Sequence, residues 1–219
     1  MAERSKRPYH SPTREAAAAQ TRLAVVSASR RAFEERGWAG TRLRDVAEAA
    51  GVSLKTVEAL YRTKAALLEA AVDYAIRGDL EDTPMSQRAG IAEMERAPAA
   101  AAMLDLHARH LRAVNVRSAL IASVVEQAAM ADPAADALWR RMNRNRQYGV
   151  RWATDTLLSK RGRRRGLSRT HVESTFWVAL DWETYRTLTE RAGLDADGYE
   201  SWLRTYYAAM LLPLRATTR

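Results

Sequence analysis

At 219 residues and without cysteine, the chain can bury a sizeable core and form two modest domains, but neither disulfides nor thiolate metal sites. No apolar run approaches the roughly 20 residues needed to cross a bilayer, and the N-terminus lacks a signal-peptide segment; export and membrane insertion are not expected, and a cytoplasmic location is. The formal charge of +9, from 35 Lys and Arg against 26 Asp and Glu, predicts attraction to polyanions, nucleic acid first.

The charge is unevenly placed. Residues 1–70 carry 13 basic and 8 acidic side chains, whereas residues 140–169 carry 11 basic and 1 acidic. Residues 1–20 hold two prolines and scattered charges before an alanine run, which predicts a disordered basic arm. There Arg4, Lys6 and Arg7 either follow a phosphate backbone or belong to a solvated tail. A first helix is expected from Arg14 or Thr21 to Arg36, with Val25, Val26, Ala28, Ser29, Ala32 and Phe33 on its core face and Gly37 at its end.

The stretch TRLRDVAEAAGVSLKTVEALYRTK, residues 41–64, organises the rest. Leu43, Val46, Ala47 and Ala50 form the stripe of a short amphipathic helix. Thr41 is the expected N-cap, and Asp45 complements the helix dipole in the first turn. Gly51 supplies a left-handed C-terminal stop, and Ser53 caps a second helix that turns Val57 and Leu60 inward. Helix, glycine turn and helix at these spacings read as a helix-turn-helix, whose second helix fits the major groove of DNA.

Thr63 then caps a fourth helix from Lys64 to about Gly78. From Asp79 to Pro98 the periodicity breaks. Helices are expected over 99–116 and 117–130, and a longer one begins at Asp132-Pro133 and reaches Ser159. Residues 160–166, KRGRRRG, read as a loop. Ser168 caps a helix over 169–192 closed by Gly193, and Asp195 begins the last, which ends near Pro213. No strand-like alternation occurs, so the fold class is all-α.

The run from Ala28 to Leu68 resembles the DNA-binding domain of the tetracycline-repressor (TetR) family of transcriptional regulators. Ala32-Phe33, Gly37-Trp38, Thr41, Asp45-Val46-Ala47, Ala50-Gly51-Val52-Ser53, Thr56-Val57, Tyr61, Lys64 and Leu67-Leu68 carry the likeness. A weaker one covers Trp177 to Leu180, Tyr185, Glu190 to Leu194 and Tyr199 to Leu203. The resemblance implies a three-helix DNA-binding domain at 21–70, after the arm, and a larger helical ligand-binding and dimerisation domain at 71–219. It also implies that Leu54, Lys55, Thr56, Glu58 and Ala59 face the DNA groove while Thr41, Arg42, Ser53 and Lys64 touch phosphates. Glu58 departs from the family, where an aromatic residue is common; Lys55 and Arg62 are placed to neutralise it.

By the same resemblance the last two helices pair between two copies, with Trp177, Leu180, Tyr185, Leu188, Trp202, Tyr206, Met210 and Leu211 as the candidate interface. Such aromatics equally suit a monomer core. By position alone, the middle region matches the family's effector-binding half. Its candidate lining is Met103, His107, Met130, Trp139, Met142, Tyr148 and Trp152, each of which also fits an ordinary core. His107 and His110 have a spacing that permits shared metal coordination, but no third ligand is evident, so neither metal nor cofactor is expected.

The function read from these features is a sequence-specific regulator, a ligand-responsive repressor that binds a palindromic operator as a homodimer. Its expected partners are double-stranded DNA, a second copy and a small-molecule effector. The alternative is a weakly selective DNA-compacting protein that uses both basic regions. With no nucleophile elbow, phosphate loop or metal-binding helix motif, an enzyme is not expected.

Overall fold

The computed structural model describes residues 12–214; Arg4, Lys6 and Arg7 of the expected arm lie outside them. The described residues form ten α-helices, one 3-10 turn, one π-turn and no strand. Two compact units divide between Ala71 and Val72.

The first unit begins with α1 (Pro12–Gly40), so residues 12–20 are helical and not part of an arm. Gly37, at φ 66° and ψ −174°, interrupts α1 near its end. Helices α2 (Leu43–Ala49) and α3 (Leu54–Leu60) follow, then α4 (Lys64–Arg77), which runs across the division. Val25, Val26, Phe33, Val46, Ala47, Val57, Leu67 and Leu68 are each buried. Every one comes from the helical spacings of the sequence, which place one apolar stripe per helix toward a shared core.

Thr41 corrects one expectation. It does not cap α2; Arg42 occupies the cap position, without a side-chain hydrogen bond. Thr41 is instead buried, and its hydroxyl lies 2.9 Å from the Ala32 carbonyl and 2.8 Å from that of Gly37. It stitches the end of α1 to the start of α2.

The second unit is built around α6 (Ala100–Ala129), which packs against α5 (Ala89–Arg96), α7 (Pro133–Ser159), α9 (Trp182–Arg186) and α10 (Ala196–Leu211). Helix α8 (Arg169–Ala179) lies against α7 and α10. Met94, Met103, Leu157, Phe176, Tyr199, Leu203 and Tyr207 are among its fully buried side chains.

Three element boundaries differ from the sequence reading. The two helices expected over 99–130 are one, because no Gly or Pro interrupts residues 100–129 and the backbone ladder simply continues. The helix expected over 169–192 breaks at Leu180 and Asp181, where ψ moves from 1° to 125°. Asp181 there pairs with Arg146 of α7, and the chain re-enters α9, which ends in a π-turn over Thr187–Arg191. The punctuated stretch 79–98 contains α5, held by buried Ile91 and Met94.

Candidate nucleic-acid interface and a cavity in the second unit

Helix α3 is set on α2 by a turn whose geometry follows from one residue. Gly51 adopts φ 68°, the left-handed region that side chains with a Cβ avoid. That conformation lets the Gly51 N–H reach the Glu48 carbonyl at 3.1 Å and the Val52 N–H reach that of Ala47 at 3.0 Å. The last carbonyls of α2 are thereby satisfied in a Schellman arrangement. Ser53 starts α3, its hydroxyl accepting the Thr56 N–H at 3.1 Å and lying 2.8 Å from the Thr56 hydroxyl.

Val57 is the fully buried anchor of α3. Lys55, Glu58 and Ala59 are exposed, with Leu54 and Thr56 half-buried beside them. Neither Lys55 nor Arg62 closes an ion pair with Glu58 in the described structure, so the expected neutralisation is absent there. Arg42 is exposed just before α2. Lys64 is half-buried with its ammonium 4.6 Å from the Trp38 ring centroid, a cation–π contact. Thr41 has its hydroxyl turned to carbonyls within the domain, which leaves no side chain there for a phosphate.

The second unit encloses a cavity of about 530 Å³ between residues of α4, the Met85–Gln87 turn, α5, α6, α7 and the α8–α9 segment. His107, Met142, Tyr148 and Trp152 of the expected lining are found there. Three others are not. Met103 is wholly buried in the core, Met130 is exposed at the C-terminal cap of α6, and Trp139 packs 6.1 Å from Trp182 beside a smaller hollow. The sequence reading missed Asp73, Arg77, His110, Asn115, Arg141 and Arg146, which also line the cavity. Their local signals are the i, i+4 spacing of Asp73 and Arg77 and the i, i+3 spacing of His107 and His110; Asn115, Arg141 and Arg146 come from α6 and α7 with no spacing that marks them.

Two polar pairs lie behind this lining. His107 Nδ1 is 2.7 Å from the Tyr207 hydroxyl, and the Asn115 amide donates to the Tyr199 hydroxyl at 2.8 Å. Burial drives the His107 pKa down to about 3 and lowers that of His110, so both imidazoles are neutral at neutral pH. Burial also raises the phenol pKa values of Tyr199 and Tyr207. Among the described residues, no three His, Asp or Glu side chains gather to hold a metal ion.

The residues of the expected pairing surface differ in exposure. Trp177 is exposed, whereas Leu180, Tyr185, Leu188, Trp202, Tyr206 and Met210 are half-buried against the core of their own unit. Leu211 is fully buried. Trp202 and Tyr206 stack at 5.0 Å on α10, and Tyr185 meets Tyr199 edge-on at 4.7 Å.

The basic stretch 140–169 is largely committed to the fold. Arg141 bonds Asp73 at 3.2 Å, Arg146 pairs with Asp181, and Arg169 bonds Asp155 at 2.8 Å and Glu173 at 2.9 Å. In the loop, Lys160 donates to the Glu95 carbonyl and Arg161 to that of Pro98. Arg164 donates to the carbonyls of Leu212 and Ala209. These cations sit at the C-terminal ends of α5 and α10, where unpaired carbonyls and the helix dipole favour positive charge.

Comparison with known proteins fits this architecture. Residues 25–71 match the family model described as bacterial regulatory proteins, tetR family. A protein of Saccharomonospora viridis, described as a transcriptional regulator and solved in complex with choline, superposes with a TM-score of 0.65 at 14% identity, over 89% of this chain and 99% of that one. NalD, the secondary repressor of the MexAB-OprM multidrug efflux pump in Pseudomonas aeruginosa, gives 0.63 at 18% identity, over 88% and 97%. MexZ, a repressor responsible for antibiotic resistance in the same organism, gives 0.57 at 22% identity, over 87% and 94%. At these identities the likeness establishes a shared fold. No curated protein sequence matches the chain significantly. Among the described residues, no helix is long and apolar enough to cross a membrane.

Proposed function

We propose, from the match of residues 25–71 to the model of the tetR family of bacterial regulatory proteins, that the chain is a member of that family and a sequence-specific transcriptional repressor released by a small molecule. The observation that carries this reading is α3 itself. Val57 anchors it inward, the Gly51 turn fixes its angle to α2, and Lys55, Glu58 and Ala59 stand clear of the domain. Such a helix enters the major groove with Leu54, Lys55, Thr56, Glu58 and Ala59 toward base edges. Arg42, Ser53 and Lys64 flank it as phosphate contacts that set register. One such helix covers few base pairs, so a homodimer through α8 and α10 on a palindromic operator completes the reading. The cavity is the effector site, and a ligand acts by favouring one of two arrangements of the chain.

The compaction alternative loses support from the second basic region, because Arg141, Arg146 and Arg169 pair with carboxylates and Lys160, Arg161 and Arg164 hold backbone carbonyls of the fold. The test is selection from a randomised duplex pool, repeated over a salt series. One recovered palindrome whose preference persists as salt rises is the expected result. Equal binding to all duplexes, falling steeply with salt, would mean that phosphates alone carry the affinity and would overturn the proposal.

A further inference from the structure

We propose that the cavity of the second unit takes an uncharged amphipathic molecule, an apolar body bearing a neutral oxygen, with the His107 imidazole donating a hydrogen bond to that oxygen. The proposal rests on the reading of this cavity as the effector site and names the chemistry that fills it. Each charged side chain of the lining already faces an opposite charge. Asp73 lies 3.2 Å from Arg141 Nη2 and 3.8 Å from Arg77 Nη2. Arg77 also adds, after Arg88, to the lowering of the Asp79 carboxyl pKa, and Arg141 has a further interaction beyond Asp73. Arg146 pairs with Asp181 and donates to Asn143 at 2.8 Å. A ligand anion must displace one of these partners. A ligand cation meets three guanidiniums, and Asp73, the one acid among the described lining residues, is already shared between two of them. Either ion loses its water without gaining a counter-charge, whereas a neutral molecule avoids that cost.

The remaining polar groups of the lining are neutral. Burial keeps His107 and His110 uncharged. The tautomer of His107 follows from its neighbour. Tyr207 is buried and its phenol stays protonated, so its O–H needs an acceptor. Among the described residues the acceptor in reach is His107 Nδ1, at 2.7 Å. Nδ1 therefore accepts, and the hydrogen of the neutral ring sits on Nε2. Nε2 has no protein partner among the described residues and is not sealed off, so its N–H is offered to the cavity that His107 lines. Asn115, about two turns further along α6, donates an amide N–H to Tyr199 at 2.8 Å and keeps its own oxygen as a neutral acceptor. Around these groups Ile91, Leu111, Val114, Met142 and Leu180 form an apolar wall. A volume of about 530 Å³ falls in the range that encloses a drug-sized molecule.

The test is equilibrium dialysis of the full chain, without DNA, against four probes of one shape: 2-acetylnaphthalene, 2-isopropylnaphthalene, 2-naphthoate and 2-naphthamidinium. The ketone is expected to bind at least about tenfold more tightly than either ion, the least that an unpartnered charge should cost. His107→Leu should weaken the ketone by about threefold to tenfold, the worth of one neutral hydrogen bond. The hydrocarbon, which accepts no hydrogen bond, should bind that variant no worse, which certifies an intact cavity. Imidazole ¹⁵N resonances of the unaltered chain read the tautomer without any substitution: Nε2–H is expected for His107, with a shift when the ketone is added. A preference for either ion, equal affinity for ketone and ions, or no binding at all would each overturn the proposal. So would an Nδ1–H tautomer, or a ketone affinity indifferent to His107→Leu. Because duplex selection is a separate measurement, a chain that finds its palindrome but ignores the ketone would refute the ligand class and leave the regulator reading standing.

Discussion

Glu58 is the side chain on which affinity and selectivity part company. It stands exposed on α3 with no ion pair to Lys55 or Arg62, so near a phosphate backbone its charge is repulsive. Glu58→Gln is expected to strengthen binding to random duplex at low salt by roughly twofold to fivefold, the effect of one unit charge about 8 Å from phosphates at water-like dielectric. A fluorescence-anisotropy titration reads this directly. Weaker and less selective binding would instead assign Glu58 to a cytosine amino group, where a carboxylate acts as acceptor. Gly51 supplies a second residue-scale prediction. A Cβ built there meets nothing within 4 Å, yet φ is 68°, so Gly51→Ala is penalised by its backbone alone, by about 1 kcal/mol. Urea unfolding should show a lower midpoint with an unchanged slope. No loss would mean that the turn relaxes to another conformation.

Among the elements, α10 depends on a loop that looks like a polyanion site in the sequence. Arg164 satisfies the carbonyls of Ala209 and Leu212, and its own N–H bonds the Leu211 carbonyl at 2.8 Å. Arg164→Met keeps the aliphatic stem but frees those side-chain acceptors, and should lower stability by about 1–2 kcal/mol. Affinity for random duplex should stay unchanged at equal folded fraction; lost affinity with stability intact would restore the polyanion role. The contrast shows what one-dimensional information carries. Caps are local, and Ser53, Thr63, Asp132 and Ser168 each accept the backbone N–H that their position in the sequence implies. The break at Leu180 and Asp181 is not local, since Asp181 is held by an arginine 35 residues away. Helix α5 eluded periodicity because it is only 8 residues long, and α6 was divided where nothing in the chain stops it.

For the whole molecule, the same division separates the two candidate sites. The α2–α3 site was legible because Gly51, Ser53 and Val57 act within one short stretch, whereas the cavity needs side chains from several helices whose packing no spacing encodes. Its buried histidines make a prediction about the entire fold. Burial holds His107 at a pKa of about 3, against 6.5 for the free side chain, and His110 contributes in the same direction. His110 is itself lowered by burial and then by Arg117. The unfolded chain takes up these protons near pH 6.5 and the folded chain does not. Stability is therefore complete above pH 6.5 and declines as the pH falls below it. Carboxylates with lowered pKa act later: Asp79, brought to about 2 by Arg88, and Glu190, lowered by Arg186, lose their contributions only below the ordinary carboxylate range. The interval from pH 6 to 5 thus belongs to the histidines, with a slope approaching about 1.4 kcal/mol per pH unit for each one kept neutral. Urea midpoints measured across that interval should fall with acidity, and His107→Gln should make that fall distinctly shallower. A wild-type midpoint that stays level from pH 7 to 5 would mean that the folded chain binds these protons too, and that His107 does not sit dry behind the cavity against Tyr207.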